Sequence, residues 1–294
     1  MRDLDLHHIR LVVKSAPEMT DRFRERVTNL FLTAGLSLYS PAQTYTAPTA
    51  LLKLTLYPAP LGDICPTKVL YTPSIVLIEP VLVPRNSEVM QDITWSAETS
   101  PQARPPLTIE ELEQDLDWLI WRFIKAYQLA NSARPQQKVE SEQANSMNPH
   151  GDDGPSPLTP DTRTGVSMHG LSLDRVQLSV VAGRLTPPLA TKALRQFRAA
   201  GLSISLEPQG QDTASLSLEM TQRAISEHCP GKVFYKAGLF LVEQVTLIRN
   251  QRIRIWSDTW AREHIQIAPP VSLQQFESDQ ESLLGEFIRA FQAN

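Results

Sequence analysis

The stretch that decides the fold is CPTKVLYTPSIVLIEPVLVPR, residues Cys65–Arg85, because it recurs as CPGKVFYKAGLFLVEQVTLIR at Cys229–Arg249. Both copies begin with Cys-Pro, share a Lys-Val pair, contain one tyrosine (Tyr71 or Tyr235) and place a glutamate inside an apolar run. An asparagine follows each final arginine. Similarity at a fixed spacing is the signature of a repeated structural unit. The sequence therefore predicts a tandem duplication.

The repeat divides the 294-residue chain into two domains of ordinary size, residues 1–131 and 169–294. A composition of 41% hydrophobic and 20% charged residues is typical of a soluble globular protein. Residues 132–168 are rich in Pro, Ser, Gln and Asn and contain no aromatic residue. Because such a segment buries too little apolar surface to offset its ordering entropy, we predict a flexible linker there.

The net charge and the hydropathy of the chain bear on whether it binds nucleic acid or spans a membrane. The formal net charge is −4 and Lys and Arg form no cluster, so the sequence predicts no nucleic-acid partner. No run of 18 apolar residues is present, which predicts no membrane span. The chain begins almost directly with a strand-like segment rather than a leader. We therefore expect a periplasmic protein if a leader was removed, and otherwise a cytoplasmic one.

Each repeat is predicted to open with a strand and an amphipathic helix. The first strands are Leu4–Val13 and Leu171–Val181. A Ser15–Glu18 capping box and Thr186 as N-cap would begin the helices, which end at Ala-Gly-Leu-Ser in both copies.

The closing helices carry the firmest local signals. Thr108 with Glu111, and Ser272 with Gln275, have the spacing of capping boxes directly after a Pro-Pro pair. Between the long apolar stretch and these helices, a hairpin returns through a Trp-Ser pair in each copy. Aligning the two Trp-Ser pairs requires a three-residue insertion at the first hairpin turn, and hairpin tips tolerate insertions.

The predicted fold class is α+β. Each repeat has the order β-α-β-β-β-β-α, a two-layer sandwich whose mainly antiparallel sheet is covered by two helices. A doubly wound parallel sheet is excluded because the middle strands follow one another without crossover helices.

This order of elements, the Ala-Gly-Leu turn after the first helix (Ala34–Leu36 and Ala200–Leu202) and the long hairpin before a closing helix resemble the LptE-like envelope lipoproteins. The resemblance is one of topology within each repeat. It implies a periplasmic assembly or transport accessory role. This chain departs from the family pattern because it carries two copies and shows no lipid-attachment cysteine at its start, so no functional residue is carried over.

Two glutamates, Glu79 and Glu243, occupy matching positions inside apolar runs. An unpaired buried carboxylate is costly, so a perturbed acid or a ligand contact is one interpretation. The interpretation we favour is structural: each lies on an edge strand or bulge, facing solvent or pairing with Arg85 or Arg249, six residues further along the same strand.

Tryptophans are the other repeated feature. Trp95 and Trp256, each followed by serine, are expected in the core, with a ligand or partner anchor as the alternative. Trp260 has no aromatic counterpart in that alignment and is expected at the surface. Trp121 falls off the apolar stripe of its helix and, if exposed, would belong to an interface between the domains.

Cys65 and Cys229 occupy matching positions, so a disulfide between the repeats is one alternative; two free thiols are the expected state. No CxxC or HxxxH spacing favours a metal site, and no GxSxG or phosphate-binding glycine loop favours catalysis or a cofactor.

The sequence thus predicts a non-catalytic binding or assembly protein, an accessory subunit that contacts a protein partner or itself through sheet edges or helix faces. The alternative is a carrier of a small molecule or lipid, with an apolar pocket in each repeat and Glu79 or Glu243 as its polar group.

Overall fold

A computed structural model describes residues 1, 4–38, 50–99, 101–131, 168–207, 213–225 and 229–293. Apart from Met168, the predicted linker 132–168 lies outside the described residues. The chain forms two compact units. The first draws on Met1–Gly62, Pro66–Glu79 and Ile93–Pro157, and the second on Asp63–Cys65, Pro80–Asp92 and Leu158–Asn294.

The first half of the chain, residues 1–131, contains two helices and strands of very different length, of which β5 and β6 each extend into the second unit. In chain order the elements are β1 (Ile9–Lys14), α1 (Pro17–Thr33), β2 (Ala50–Thr55), β3 (Ala59–Pro60), β4 (Val69–Tyr71), β5 (Ser74–Val83), β6 (Glu88–Glu98), β7 (Gln102–Arg104) and α2 (Ile109–Asn131). β1 pairs in parallel with β2, β2 pairs antiparallel with β5, and β6 pairs with β5. The short strands β3, β4 and β7 form a separate antiparallel sheet.

The second unit contains four strands and two helices among its described residues, apart from the ends of β5 and β6. Its elements are β8 (Val176–Val181), α3 (Thr186–Ala199), β9 (Ala214–Ala224), β10 (Val233–Leu247), β11 (Arg254–Ala268) and α4 (Leu273–Gln292). β8 and β9 are parallel, whereas β10 is antiparallel to both β9 and β11. The parallel pairs arise because α1 and α3 each cross from one strand to its neighbour.

The predicted α+β class is confirmed at this level, and the strand order needs correction. The expected order has one strand too many for the second unit, which runs β-α-β-β-β-α, and two too few for the first half of the chain, which has six described strands between its helices. β10 takes up 15 residues as one continuous strand, so the segment before β11 holds a single element.

Each unit packs its two helices on one face of the sheet. In the second unit alternate residues of β10 point into the core, from Tyr235 to Leu241, where they join Phe197 of α3 and Phe287 of α4. In the first unit the fully buried Phe31 of α1 and Phe123 of α2 lie 5.7 Å apart between ring centroids. Burying an aromatic side chain stabilises a fold by about 1.5–3 kcal/mol, so these helix faces are central to both cores.

The helix ends test the capping predictions. Thr108 and Glu111 form the predicted capping box. The Thr108 N–H donates to the Glu111 carboxylate at 2.8 Å, and the Glu111 N–H donates to the Thr108 hydroxyl at 3.2 Å. Ser272 accepts a hydrogen bond from the Gln275 backbone at 3.2 Å, and the Gln275 side chain turns instead to Asp279. The second box is therefore half formed.

Two predicted caps are wrong. α1 begins after Ala16 without a side-chain cap, because the Ser15 hydroxyl bonds to Thr20 instead of the helix N-terminus. Thr186 is the first residue of α3 rather than its N-cap, and its hydroxyl accepts a hydrogen bond from the Ala182 backbone.

Candidate functional site

The ends of β5 and β10 lie side by side within the second unit, and the predicted glutamate–arginine site is found there. Leu82 pairs with Thr246 and Val81 with Leu247. The side chains of Val81, Val83, Val245 and Leu247 form a small buried cluster of their own.

Glu243 is held beside this cluster by two polar partners. Its two carboxylate oxygens accept from Nε of Arg85 at 2.9 and 3.0 Å, and the Thr259 hydroxyl also donates to the carboxylate. The side chains of Arg85 and Glu243 are each only 11% exposed. A buried ion pair of this kind is retained when its hydrogen bonds are satisfied, and removing one partner costs about 3–5 kcal/mol.

Arg85 also fixes the segment that enters the second unit. Its Nη1 donates to the His169 carbonyl at 2.7 Å. Gly170 has a φ of +78°, and a Cβ at that position would lie 3.0 Å from the Arg85 carbonyl oxygen. Only glycine adopts this conformation at so close an approach without strain. Arg85 thus binds a side-chain carboxylate through Nε and a backbone carbonyl through Nη1.

Glu79 occupies the matching position on β5 in the first unit. It is 2% exposed, and its carboxylate accepts a hydrogen bond from the Thr94 hydroxyl. Thr94 and Thr259 each precede a tryptophan, so the glutamate–threonine contact follows the same pattern in both units.

The expected environment of these glutamates is corrected by the structure. Glu79 and Glu243 are buried in strands that have neighbours on both sides, not at solvent-facing edges. Glu243 pairs with Arg85, in the turn after β5, instead of with Arg249, six residues further along its own segment. Arg249 is half-buried in the turn after β10. The strand alternation alone carries no information about which arginine faces which carboxylate.

Trp260, not Trp256, makes the same kind of aromatic contact as Trp95. Trp95 meets Phe123 edge to face at 5.3 Å and 81°, and Trp260 meets Phe287 at 5.2 Å and 82°. Alignment on the Trp-Ser pairs hides this match because the strand register slips between Leu241 and Val242, which gives β11 one extra residue. A one-residue bulge changes which residues face the core beyond it.

The tryptophan positions follow from this register. Trp260, expected at the surface, is 4% exposed, whereas Trp256, expected in the core, is 37% exposed. Trp95 packs against the first core as predicted. Trp121 is 57% exposed on α2, which meets the condition set for an interface residue.

An aromatic and basic stripe, here defined as Trp118, Trp121, Arg122, Lys125 and Leu129, runs along the solvent face of α2. At 100° per residue these five positions fall within about 100° of one another, opposite the buried face. Trp118 is 39% exposed and Leu129 67%. The Arg122 guanidinium lies 4.9 Å from the Trp118 ring and the Lys125 ammonium 4.7 Å from the Trp121 ring.

Sequence reasoning singled out only Trp121 from this stripe. A helical projection of residues 109–131 groups all five, so the signal was present in the sequence.

Two open depressions lie on the helix pairs. One of about 520 Å³ is lined by Lys192, Arg195, Gln196 and Glu281. Another of about 390 Å³ lies along α1 and Glu113, lined mostly by charged and polar side chains. Neither includes Glu79 or Glu243, so neither is the apolar pocket that the carrier alternative requires.

Among the described residues, no group of three or more His, Cys, Asp and Glu side chains is arranged to hold a metal ion. None of the helices described is long and apolar enough to cross a membrane.

Comparisons with known proteins give limited information. No family model matches the chain, and no curated protein matches it. Among solved structures, it is similar to an uncharacterized protein at 11% identity and a TM-score of 0.20, covering 42% of this chain and 94% of that one. It is also similar to the rare lipoprotein B from Shewanella oneidensis at 16% identity and a TM-score of 0.15, covering 40% of this chain and 86% of that one. At these TM-scores neither likeness carries an argument about function.

Proposed function

We propose that the protein is a non-catalytic binding and assembly protein that docks a protein partner on the aromatic and basic stripe of α2. In this role it is an accessory subunit of a multiprotein complex, and the more specific form of the proposal places that complex in a bacterial envelope. The envelope form is supported by the resemblance of each half, in its order of elements, to the LptE-like lipoproteins, and the stripe does not depend on it.

The proposal includes a tandem duplication, which several matched contacts support. Arg26 of α1 binds Asp117 of α2 at 2.7 Å, and Lys192 of α3 binds Glu281 of α4 at 2.7 Å. The edge-to-face tryptophan contacts in the two cores have nearly the same geometry. Equivalent positions in α2 and α4 can therefore be compared directly.

The observation that carries the proposal is the difference between these two helices. Counting back two and five residues from Phe123 gives Trp121 and Trp118, whereas the same steps from Phe287 give Gly285 and Ser282. The core faces of both helices need large apolar residues, and the solvent face of α4 shows that the fold does not need tryptophan there. Tryptophan is enriched at the centres of protein interfaces, where its loss commonly costs 2 kcal/mol or more.

The chemistry of the stripe indicates its partner. Two exposed indoles and Leu129 supply apolar contact area, and the cations of Arg122 and Lys125 lie over the indole rings. A protein surface that combines apolar side chains with carboxylates complements this arrangement, because it covers the rings and pairs with both cations.

Site-specific crosslinking in the cells that naturally produce the protein tests this function. A photoreactive benzoylphenylalanine replaces Trp121 in the full chain, and Gly285 in the matched control. We expect one discrete adduct with an identifiable protein from position 121 and none from position 285. The Trp118→Ala substitution is expected to reduce the yield of that adduct about tenfold. No adduct at position 121, or equal adducts at both positions, contradicts the proposal.

A membrane surface is the competing occupant of such a stripe, since indoles and basic side chains also favour lipid interfaces. Cosedimentation of the purified chain with phosphatidylglycerol vesicles separates the two cases. We expect no sedimentation with the vesicles. Binding that disappears in the Trp118→Ala/Trp121→Ala variant overturns the assignment of a protein partner.

A further inference from the structure

The two cysteines of the chain meet in the interior. Cys65 is 6% exposed and Cys229 3%, and both belong to the second compact unit. Their thiols share a hydrogen bond, and no disulfide joins them in the structure. A thiol–thiol hydrogen bond brings the two sulfur atoms close together, and a disulfide requires such an approach.

The backbone holds each cysteine at the start of the same kind of turn. Pro66 and Pro230 follow the cysteines and fix φ near −65°. The next residues, Thr67 and Gly231, have φ of +64° and +72°. Proline followed by a positive φ is the geometry of a type II turn, and the Lys232 N–H bonds to the Cys229 carbonyl at 3.4 Å across one of them.

A positive φ is unfavourable for Thr67, which has a Cβ, and is freely adopted by Gly231. In both turns the proline restricts the backbone next to the cysteine. Disulfides need two cysteines at a defined separation, and two rigid turns supply that condition better than flexible loops do.

We propose that Cys65 and Cys229 are a disulfide site, oxidised while the chain folds in an oxidising compartment, and that the structure shows its reduced form. The oxidant is a disulfide, either that of a thiol–disulfide oxidoreductase or oxidised glutathione. One cysteine thiolate attacks the oxidant and forms a mixed disulfide, and the second thiolate displaces the oxidant's remaining sulfur. The chain loses two protons and two electrons, and the oxidant leaves as two thiols.

The timing follows from the protonation of the thiols. Burial, and then the contact with Cys65, raises the pKa of the Cys229 thiol to about 11. At pH 7 roughly one Cys229 in ten thousand is then a thiolate, and the thiolate is the reactive form. Oxidation of the folded, reduced protein is accordingly slow, whereas in the unfolded chain an ordinary thiol reacts faster.

The two cysteines are far apart in sequence, so the link removes much of the freedom of the unfolded chain. The oxidised protein is expected to melt roughly 5 °C higher than the reduced one. This inference does not rest on the proposed docking function, because neither cysteine lies in the stripe on α2.

The test refolds the full chain from denaturant in a glutathione redox buffer, then blocks free thiols with iodoacetamide and measures the mass. We expect a monomer that lacks both alkyl groups, with a linked peptide pair containing Cys65 and Cys229. Already folded, reduced protein placed in the same buffer is expected to oxidise at least about 100-fold more slowly. Recovery of the doubly alkylated chain after oxidative refolding, or a link between two chains, overturns the proposal.

Melting the same wild-type protein with and without dithiothreitol gives a readout that needs no variant. We expect the reductant to lower the melting temperature by roughly 5 °C. The Cys65→Ser variant is the matched control, and its melting temperature is expected to be the same under both conditions. Equal melting of the oxidised and reduced wild-type protein counts against a disulfide site at these positions.

Discussion

Helices α2 and α4 have the same buried face and different exposed faces. Phe123 and Phe287 each receive a tryptophan edge, and the ion pairs Arg26–Asp117 and Lys192–Glu281 tie each helix to its neighbour. On the opposite side α2 exposes two tryptophans, whereas α4 has Ser282 and Gly285. Packing accounts for what the helices share, so the exposed tryptophans need a different explanation, and a binding partner supplies one.

The largest effect is expected at the tryptophans that pack against the buried faces of α2 and α4. Trp260→Ala removes a buried indole from the second core and is expected to lower the free energy of unfolding by about 3–5 kcal/mol. Trp95→Ala is the matched change in the first unit, where the indole is only partly buried, and it should cost less. Urea denaturation of both variants measures the difference. An equal or smaller loss for Trp260→Ala contradicts the assignment of Trp260 as the repeated core residue.

The ion pair between β5 and β10 is the next test. Arg85→Met leaves the Glu243 carboxylate buried without its cation, and the expected loss of unfolding free energy is about 3 kcal/mol. The double variant Arg85→Met/Glu243→Leu removes both charges and should recover a large part of that loss. A single variant within about 0.5 kcal/mol of wild type shows that the pair does not hold the two strand ends together.

Each unit contains a buried tyrosine with a raised pKa, so the stability of the protein is expected to depend on pH in the alkaline range. Burial, with the Asp279 carboxylate that accepts the hydroxyl at 2.7 Å, raises the pKa of Tyr235. Burial likewise raises the pKa of Tyr71, whose hydroxyl interacts with Asp115 without a regular hydrogen bond.

Stability from these groups is complete below the unfolded tyrosine pKa of about 10 and is lost as the pH rises above it, because only the unfolded tyrosine then ionises. Urea midpoints measured from pH 8 to 11 should therefore fall, and fall less steeply in Tyr235→Phe. Cys229 titrates in part of the same range, so the series is compared in a Cys229→Ser background. An unchanged slope in Tyr235→Phe contradicts the assignment of this tyrosine.

The smallest effects are expected at the exposed ion pairs that join the helices. Arg26→Ala and Lys192→Ala should each cost about 0.2–1 kcal/mol, since salt and water screen these charges. Arg26 makes a two-pronged contact with Asp117 and Lys192 a point contact with Glu281, so the first substitution should cost slightly more. Denaturation at low and high salt checks both the size and the screening.

The sequence was sufficient for the fold class, the helix ends at the Ala-Gly-Leu turns and the capping box at Thr108. These depend on local chemistry that a single segment carries. Gly35 and Gly201 have φ of +72° and +74°, as the predicted left-handed caps require. The long apolar stretch was correctly identified as the first arm of a hairpin in the second copy, β10, whereas in the first copy it divides into β4 and β5, and only β5 is that arm.

The remaining errors come from information that is not local. The extra residue in β11 shifts the register, so Trp260 rather than Trp256 packs in the core. The partner of Glu243 is Arg85, distant in sequence, and no periodicity predicts such a pairing. The stripe on α2 is a property of one helix face, which is visible when residues 109–131 are projected as a helix.

The most direct test of the central claim is the affinity of the purified chain for the protein recovered by crosslinking at position 121. The Trp118→Ala/Trp121→Ala variant is compared with wild type by calorimetry, and its melting temperature is measured alongside. The account predicts an affinity at least about 30-fold weaker with a melting temperature within about 2 °C of wild type. An unchanged affinity would contradict the assignment of the α2 stripe as the docking surface.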